Sequence, residues 1–343
     1  MPETVFITGV SGYIALNVAL QLSEKGYHIV GTVRTKDKGE YLVRQLGADK
    51  FSYEIVTDLD KENCFDEALA AHPEVTVVLH IASPCFFTTT DAERDILKPA
   101  IEGTKNILSG ILRKAPQVRR VVHTSSDSAI MSFKEEHVPT KTFDETTWNE
   151  NTYEDSLVSP FEAYYGSKAL GEKYAWKFVK ENPVNFTLAT ICPSYVFGPQ
   201  PFDEPFGGKS FVNASNEEIL GLLSLKSEEE FEDLTGGYIY CRDIARAHIE
   251  AFERDDLVGK RLLVTNGSFG SQYILDLIHK MFPQLASSVI KGPNPGQGKE
   301  VMASKLAKVD NSRTRKLLTW GFKDLEDIVK ETVQQFLNNT QSS

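Results

Sequence analysis

Apolar positions through the first half of the chain follow two alternating patterns. Short runs rich in β-branched and aromatic residues predict strands at Thr4–Thr8, His28–Val33, Phe51–Val56, Val75–Ile81, Val118–Thr124 and Phe186–Cys192. Between them, helical periodicity predicts Ile14–Lys25, closed by Gly26, and Asp37–Leu46. Asp91 stands as a cap before a long helix whose apolar stripe includes Ile96, Ala100, Ile107 and Ile111. Ser159-Pro160 supplies a cap and an N1 proline for another helix, running to about Lys180. Val75–Ile81 is almost wholly apolar, as a strand covered on both faces must be. Strands alternating with helices predict an α/β fold built on a doubly wound parallel sheet of Rossmann type. Ligands of such sheets lie beyond the carboxyl ends of the strands, near the switch point.

From about Gly198 the alternation weakens. Loop-like Gly198–Lys209, acidic Ser227–Asp233, a Gly/Pro-rich loop at Gly292–Gly298 and a helix around Leu325–Leu337 suggest a smaller lobe. The expected organisation is a Rossmann-type nucleotide-binding domain over residues 1–196, rejoined by later strands at about 236–266. Residues 197–343 would then form mainly a substrate-binding lobe.

Composition narrows the partners. With 41% hydrophobic and 25% charged residues, the 343-residue chain has the makeup of a packed globular protein. A net charge of −11 argues against binding a phosphate backbone, so no nucleic acid is expected. Cys64, Cys85, Cys192 and Cys241 lie far apart, without zinc spacing, and read as reduced thiols. No apolar run approaches the roughly 18 residues that span a bilayer. Met1-Pro2-Glu3 leads straight into a strand, without a signal peptide's basic start and cleavage site. The expected setting is the cytoplasm and the expected partner a small molecule, with no membrane and no metal. Oligomeric state is not legible.

Candidate chemistry begins after the first strand, at Gly9-Val10-Ser11-Gly12-Tyr13-Ile14-Ala15. The glycines let the backbone approach a pyrophosphate resting on the helix N-terminus, and Ala15 lets helix and strand pack closely. Taken alone this is a glycine turn; its place after the first strand of an alternating chain makes it a dinucleotide loop. The second strand ends at Arg34, where an NAD site offers a carboxylate to the ribose. A guanidinium grips a 2′-phosphate instead, so NADPH/NADP+ is the expected cofactor; the alternative is a solvated basic turn with Lys36 and Lys38.

Of twelve tyrosines only Tyr164 is followed four positions later by lysine, Lys168, on one face of the predicted helix. The ammonium is expected to lower the tyrosine pKa and so make Tyr164 a usable acid. Thr124-Ser125-Ser126 delivers hydroxyls to the same sheet edge, one of them able to polarise a carbonyl. An exposed Tyr–Lys pair and a strand-ending serine turn are the plainer readings of each piece by itself.

With these residues in hand, the chain resembles an extended short-chain dehydrogenase/reductase over nearly its full length, and most resembles the dihydroflavonol-reductase-like branch with the fungal NADPH-dependent methylglyoxal/ketone reductases. Matching stretches are Thr8–Ala15, His80–Pro84, Thr124–Ser126, Tyr164–Lys168, Pro193–Pro199 and Tyr238–Ala245. The resemblance implies reduction of aldehydes and ketones to alcohols, with Ser126 rather than Ser125 as the catalytic serine beside Tyr164 and Lys168. It implies that Arg34 and Lys38 hold the 2′-phosphate, that Asp58 and Leu59 flank the adenine, and that Ala82 and Ser83 line the cofactor groove. Pro193 and Val196 would meet the nicotinamide end, and Ser215 would contact the cofactor; His80 reads as structural.

Cys85, Phe86, Asp127, Phe133 and Tyr195 are the expected substrate-pocket residues, mostly apolar or aromatic as a carbonyl pocket should be. Two positions depart from the family pattern. Glu102 stands where many extended members carry Asn, and Asp127 stands where fungal relatives often have an aromatic or small residue. Asp127 would either face the pocket, repelling anionic substrates, or point to solvent or cap a turn. The rival readings are a nucleotide-sugar epimerase or dehydratase of the same superfamily and a non-catalytic NADP sensor.

Overall fold

The structure, a computed structural model, describes residues 3–202 and 213–341, so positions 203–209 of the loop expected at 198–209 lie outside the described residues. In chain order the first half reads β1 (Thr4–Thr8), α1 (Tyr13–Glu24), β2 (His28–Val33), α2 (Lys36–Leu46), β3 (Phe51–Ile55), α3 (Asp66–Ala71), β4 (Val75–His80), α4 (Lys98–Lys114), β5 (Arg120–Thr124), α5 (Phe133–Glu136), β6 (Thr142–Asp144), α6 (Pro160–Glu181) and β7 (Thr187–Pro193). It continues through β8 (Tyr195–Phe197), α7 (Ala214–Leu220), β9 (Thr235–Tyr240), α8 (Cys241–Glu253), β10 (Arg261–Val264), β11 (Ser268–Gly270), α9 (Ser271–Met281), α10 (Gly298–Ala303), β12 (Lys308–Asp310), α11 (Ser312–Leu317) and α12 (Leu325–Gln341).

The seven-stranded sheet runs β10-β7-β5-β4-β1-β2-β3. All its pairings are parallel. Side-chain alternation explains why both faces must be covered. In β1, Val5 and Ile7 join the core beneath α1 and α8, while Phe6 joins the opposite core with α3, α4 and α6. The strand order reverses between β1 and β4, so the carboxyl ends of these two strands frame the switch point.

The helix expected from Asp91 is interrupted. Asp91 Oδ1 accepts the Arg94 N–H at 3.0 Å, but the turn it caps, Glu93–Leu97, is a π turn; α4 proper begins at Lys98. Pro99 accounts for the break, because it has no N–H to give to the preceding turn. At its amino end the strand expected from Val118 also starts late, since the Val118 N–H is used in a turn to the Ala115 carbonyl.

Of the later strands, β10 joins the parallel sheet beside β7. The other strand of that stretch, β9, pairs with β8 and β11 in a separate three-stranded sheet. The chain leaves the main sheet at Pro193, whose ring nitrogen cannot extend a ladder, and re-enters extended structure at Tyr195.

Candidate active site

The glycine loop after β1 is shaped by close approach. Gly9 has φ +65°, and a Cβ there would stand 2.9 Å from the Ala82 Cβ, so β1 and the segment after β4 meet only through glycine. Gly12 N–H turns back to the Gly9 carbonyl at 2.9 Å and serves as the N-cap of α1. Val10 is fully buried, and Ser11, Gly12 and Ile14 sit at the helix start. Tyr13 is turned away from the loop's chemistry: its hydroxyl donates to the Gly198 carbonyl at 2.6 Å. Asn216 clamps the same residue, donating to that carbonyl and accepting the Gly198 N–H. This clamp brings Ser215, half-buried in the first turn of α7, to the side of the groove occupied by α1.

Thr8 organises the neighbouring strand end. Its hydroxyl accepts the N–H groups of Ile81 and Ala82, each at 3.0 Å, and stands 2.9 Å from His80 Nδ1. With both acceptor positions used, the Thr8 proton goes to Nδ1, which places the His80 proton on Nε2. Burial keeps the His80 imidazole neutral, and it stacks on His123 with centroids 5.4 Å apart. His80 is therefore structural.

Three observations fit a bound dinucleotide phosphate. The cradle at Gly9 has no room for a side chain. Ser83 Oγ is buried without a hydrogen-bond partner at the carboxyl end of β4. Arg34 is exposed just past β2, close enough to Lys38 to push the lysine pKa down after burial has done so. Asp58, exposed after β3, accepts from the Thr57 hydroxyl, and the Leu59 carbonyl is held by Asn106 at 2.8 Å. All of these lie at the carboxyl edge of the sheet.

The serine, tyrosine and lysine meet at the same edge. Ser126 follows β5 and caps a short turn over Asp127–Ala129. Its hydroxyl lies 3.0 Å from Asp127 Oδ1 and 3.4 Å from the Pro193 carbonyl, with the Tyr164 phenol beside it. Ser125 is engaged elsewhere, donating to Glu172 at 2.7 Å, so Ser126 is the serine that faces Tyr164. Lys168 Nζ stands 5.5 Å from the centre of the Tyr164 ring.

The electrostatics correct one expectation. Lys168 does not bring the Tyr164 pKa down; burial, followed by the Cys85 thiol, raises it well above the usual phenol value. Burial also lowers Lys168 itself to about 8. Both groups lose water, and desolvation outweighs their mutual attraction. Tyr164 thus rests as a neutral phenol, able to donate a proton but costly to leave ionised.

The pocket residues divide. Cys85 is exposed on the rim near Tyr164, and Phe86 is 41% exposed beside it. Tyr195 is half-buried in β8 and packs edge-on against Phe269 at 5.1 Å; Val196, next to it, is buried and pairs with Ile239. Phe133 does not touch Tyr164 directly. It stacks on Phe161 at 5.4 Å, Phe161 stacks on Phe87 at 4.5 Å, and Phe87 meets Tyr164 edge-on at 5.4 Å. Sequence reasoning missed Phe87 and Phe161, although Phe161 lies three residues before Tyr164 on one helix face.

Asp127 is buried, at 8% exposure, so the solvent-facing alternative is excluded. It begins the turn that Ser126 caps, the Ser126 hydroxyl donates to its carboxylate at 3.0 Å, and Ser194 lies beside it. Glu102 lies away from this edge on α4, paired with Lys105 at 2.7 Å.

Comparison with known proteins agrees with this arrangement. A model of the NAD dependent epimerase/dehydratase family matches residues 5–264. A putative NADPH-dependent methylglyoxal reductase of Candida albicans is 46% identical over 97% of this chain and 98% of that protein. An NADPH-dependent methylglyoxal reductase of Saccharomyces cerevisiae is 39% identical over 97% of this chain and 98% of its own length. The structure of a yeast methylglyoxal/isovaleraldehyde reductase complexed with NADPH superposes with a TM-score of 0.94, at 38% identity, covering 99% of each chain. The chain belongs to the NAD dependent epimerase/dehydratase family, within the extended short-chain dehydrogenase/reductases.

Proposed function

We propose that the chain is an NADPH-dependent carbonyl reductase that converts aldehydes and ketones to alcohols, with Tyr164 as proton donor, Ser126 polarising the carbonyl and Lys168 holding the ribose. The observation that carries this reading is the meeting of Ser126, Tyr164 and Lys168 at the carboxyl edge of the sheet, beside the glycine cradle. NADPH, when bound, supplies the hydride. The loop 9–14, Ser83 and Ser215 would hold it, and Arg34 with Lys38 would take its 2′-phosphate, which favours the phosphorylated cofactor over NAD. Asp58 and Leu59 would flank the adenine, while Ala82, Pro193 and Val196 would border the nicotinamide end.

The Ser126 hydroxyl orients the substrate oxygen against the Tyr164 phenol, and the phenolic proton moves to that oxygen as negative charge develops on it. Phe87 and Phe161 wall the site with aromatic carbon, and Tyr195 with Cys85 and Phe86 borders its mouth, which suits a neutral organic carbonyl. Its compartment on this reading is the cytoplasm, where four dispersed free thiols stay reduced.

The test is NADPH oxidation against a panel of aldehydes, diketones, bulky ketones and UDP-sugars. Consumption of NADPH with alcohol formation is expected from the carbonyl compounds. Epimerised sugar without net NADPH consumption would replace this reading with an epimerase.

A further inference from the structure

We propose that Glu172 is a positioning residue for the reaction: by holding Ser125 it fixes where Ser126 stands relative to Tyr164, an inference that rests on reading Ser126 and Tyr164 as the reacting pair. Tyr164, Lys168 and Glu172 follow one another at four-residue intervals along α6, so they share one face of one helix. Tyr164 and Glu172 are two turns apart, about 12 Å along the axis. The first two belong to the candidate site. The third is fully buried against the sheet.

Four segments meet at its carboxylate. Oε1 accepts from the Thr190 hydroxyl of β7 at 2.7 Å, from Trp176 Nε1 one turn along α6 at 3.2 Å, and from Arg261 Nε of β10 at 2.8 Å. Oε2 accepts from the Ser125 hydroxyl at 2.7 Å and from Arg261 Nη2 at 3.0 Å, with Cys192 Sγ 3.6 Å away. All of these neighbours donate, so the position calls for a group that only accepts. A carboxylate does so, and an amide does not.

Among these bonds, the one from Ser125 reaches the residue next to the candidate serine. The Ser125 backbone is fixed as well, its N–H donating to the Ile191 carbonyl at 2.8 Å. The far end of the Ser126 turn is tied to the same centre. Arg261 Nη2 and the Asn149 N–H each donate to the Ala129 carbonyl at 2.9 Å, and the Ala129 N–H closes the turn on the Ser126 carbonyl at 3.0 Å. With Ser125 bonded to α6 and Ala129 bonded to the cation that α6 holds, the Ser126 turn moves with the helix that carries Tyr164. A buried ion pair is not in itself a more stable filling than apolar residues of the same volume. What it adds here is several directional bonds that fix one geometry, and orientation is what the proton transfer needs.

Ser125→Ala removes the bond to Glu172 and leaves the ion pair, Ser126, Tyr164 and Lys168 in the chain. With benzaldehyde and NADPH its kcat should fall at least ~10-fold, short of the roughly 100-fold that a 1 Å misplacement can cost. NADPH affinity, read by fluorescence titration, should stay at the wild-type value. Glu172→Gln should lose at least as much kcat, and Ser125→Ala should add nothing to it.

A double-mutant cycle with Ser126→Ala gives the readout that a merely structural role would not move. If Glu172 acts by placing Ser126, the loss from Ser125→Ala disappears once the Ser126 hydroxyl is gone, and the double variant matches Ser126→Ala. A wild-type kcat in Ser125→Ala, or losses from Ser125→Ala and Ser126→Ala that simply multiply, overturns the proposal. Should Ser125→Ala not fold, Ser125→Cys, which keeps the shape and weakens the donor, takes its place in the cycle under the same two outcomes. A wild-type protein that oxidises no NADPH with any carbonyl points instead to failure of the reductase reading.

Discussion

Arg261 lies against Glu172 in the interior, Nε 2.8 Å from Oε1 and Nη2 3.0 Å from Oε2, with side chains 8% and 0% exposed. The pair is fully hydrogen-bonded. Thr190, Trp176 and Ser125 also donate to Glu172, the guanidinium donates to the Ala129 and Thr147 carbonyls, and it stacks 3.6 Å from the centre of the Trp148 ring. Because Ser125 and Ala129 flank Ser126 and Asp127, this buried pair braces the turn that carries the candidate serine.

Arg261→Leu should therefore cost about 3–5 kcal/mol, the scale for stranding one member of a buried pair. Urea denaturation measures it. The double variant Arg261→Leu/Glu172→Leu should lose less than the single one, because no charge is left behind. A single variant within about 1 kcal/mol of wild type would mean that water reaches Glu172 and the brace is not a brace.

Tyr164→Phe should reduce kcat at least ~100-fold while NADPH still binds, since the phenol is the group proposed to give the substrate oxygen its proton. Stopped assays with benzaldehyde, together with fluorescence titration of NADPH, separate the two effects. Near-normal turnover by a folded Tyr164→Phe protein would remove Tyr164 from the chemistry.

Arg34→Ala should weaken NADPH by about 1.5–3 kcal/mol, the range for a charge-assisted bond, and leave NADH nearly unchanged. Titration with each cofactor gives the answer. Equal losses would mean that Arg34 supports the loop rather than the 2′-phosphate.

Much of this was readable before the fold. The strands of the main sheet are covered on both faces, so burial writes them as near-continuous apolar runs, and the residues that follow them necessarily gather at one edge. Helical spacing put Tyr164 and Lys168 on one face. The π turn before α4 was not legible, because Pro99 shifts the hydrogen-bond register without changing the apolar stripe. Short strands such as β6 and β12 pair only with each other and carry too few residues to show a period. The Arg261–Glu172 brace joins positions 89 residues apart, and nothing local in either segment announces the other. The direction of the Tyr164 shift was misjudged for a related reason: spacing shows the neighbouring ammonium, but only packing shows how little water remains.

Asp127 gives the sharpest test of substrate choice, because the structure places its carboxylate inside the wall rather than in water. Burial raises the Asp127 carboxyl to about 6, which leaves it mostly ionised at neutral pH. A unit charge some ångströms from a bound anion, at an effective dielectric of about 20, is worth on the order of 2 kcal/mol. The wild-type protein should therefore discriminate against a keto acid relative to its neutral ester. Asp127→Asn removes that charge, and the ratio of kcat/KM for acid over ester should rise ~10-fold or more. Any common loss of turnover cancels in the ratio, so the measurement reads charge alone. An unchanged ratio in the folded variant would show that the Asp127 field does not reach the substrate, and that its neighbours Ser126 and Ser194 absorb it.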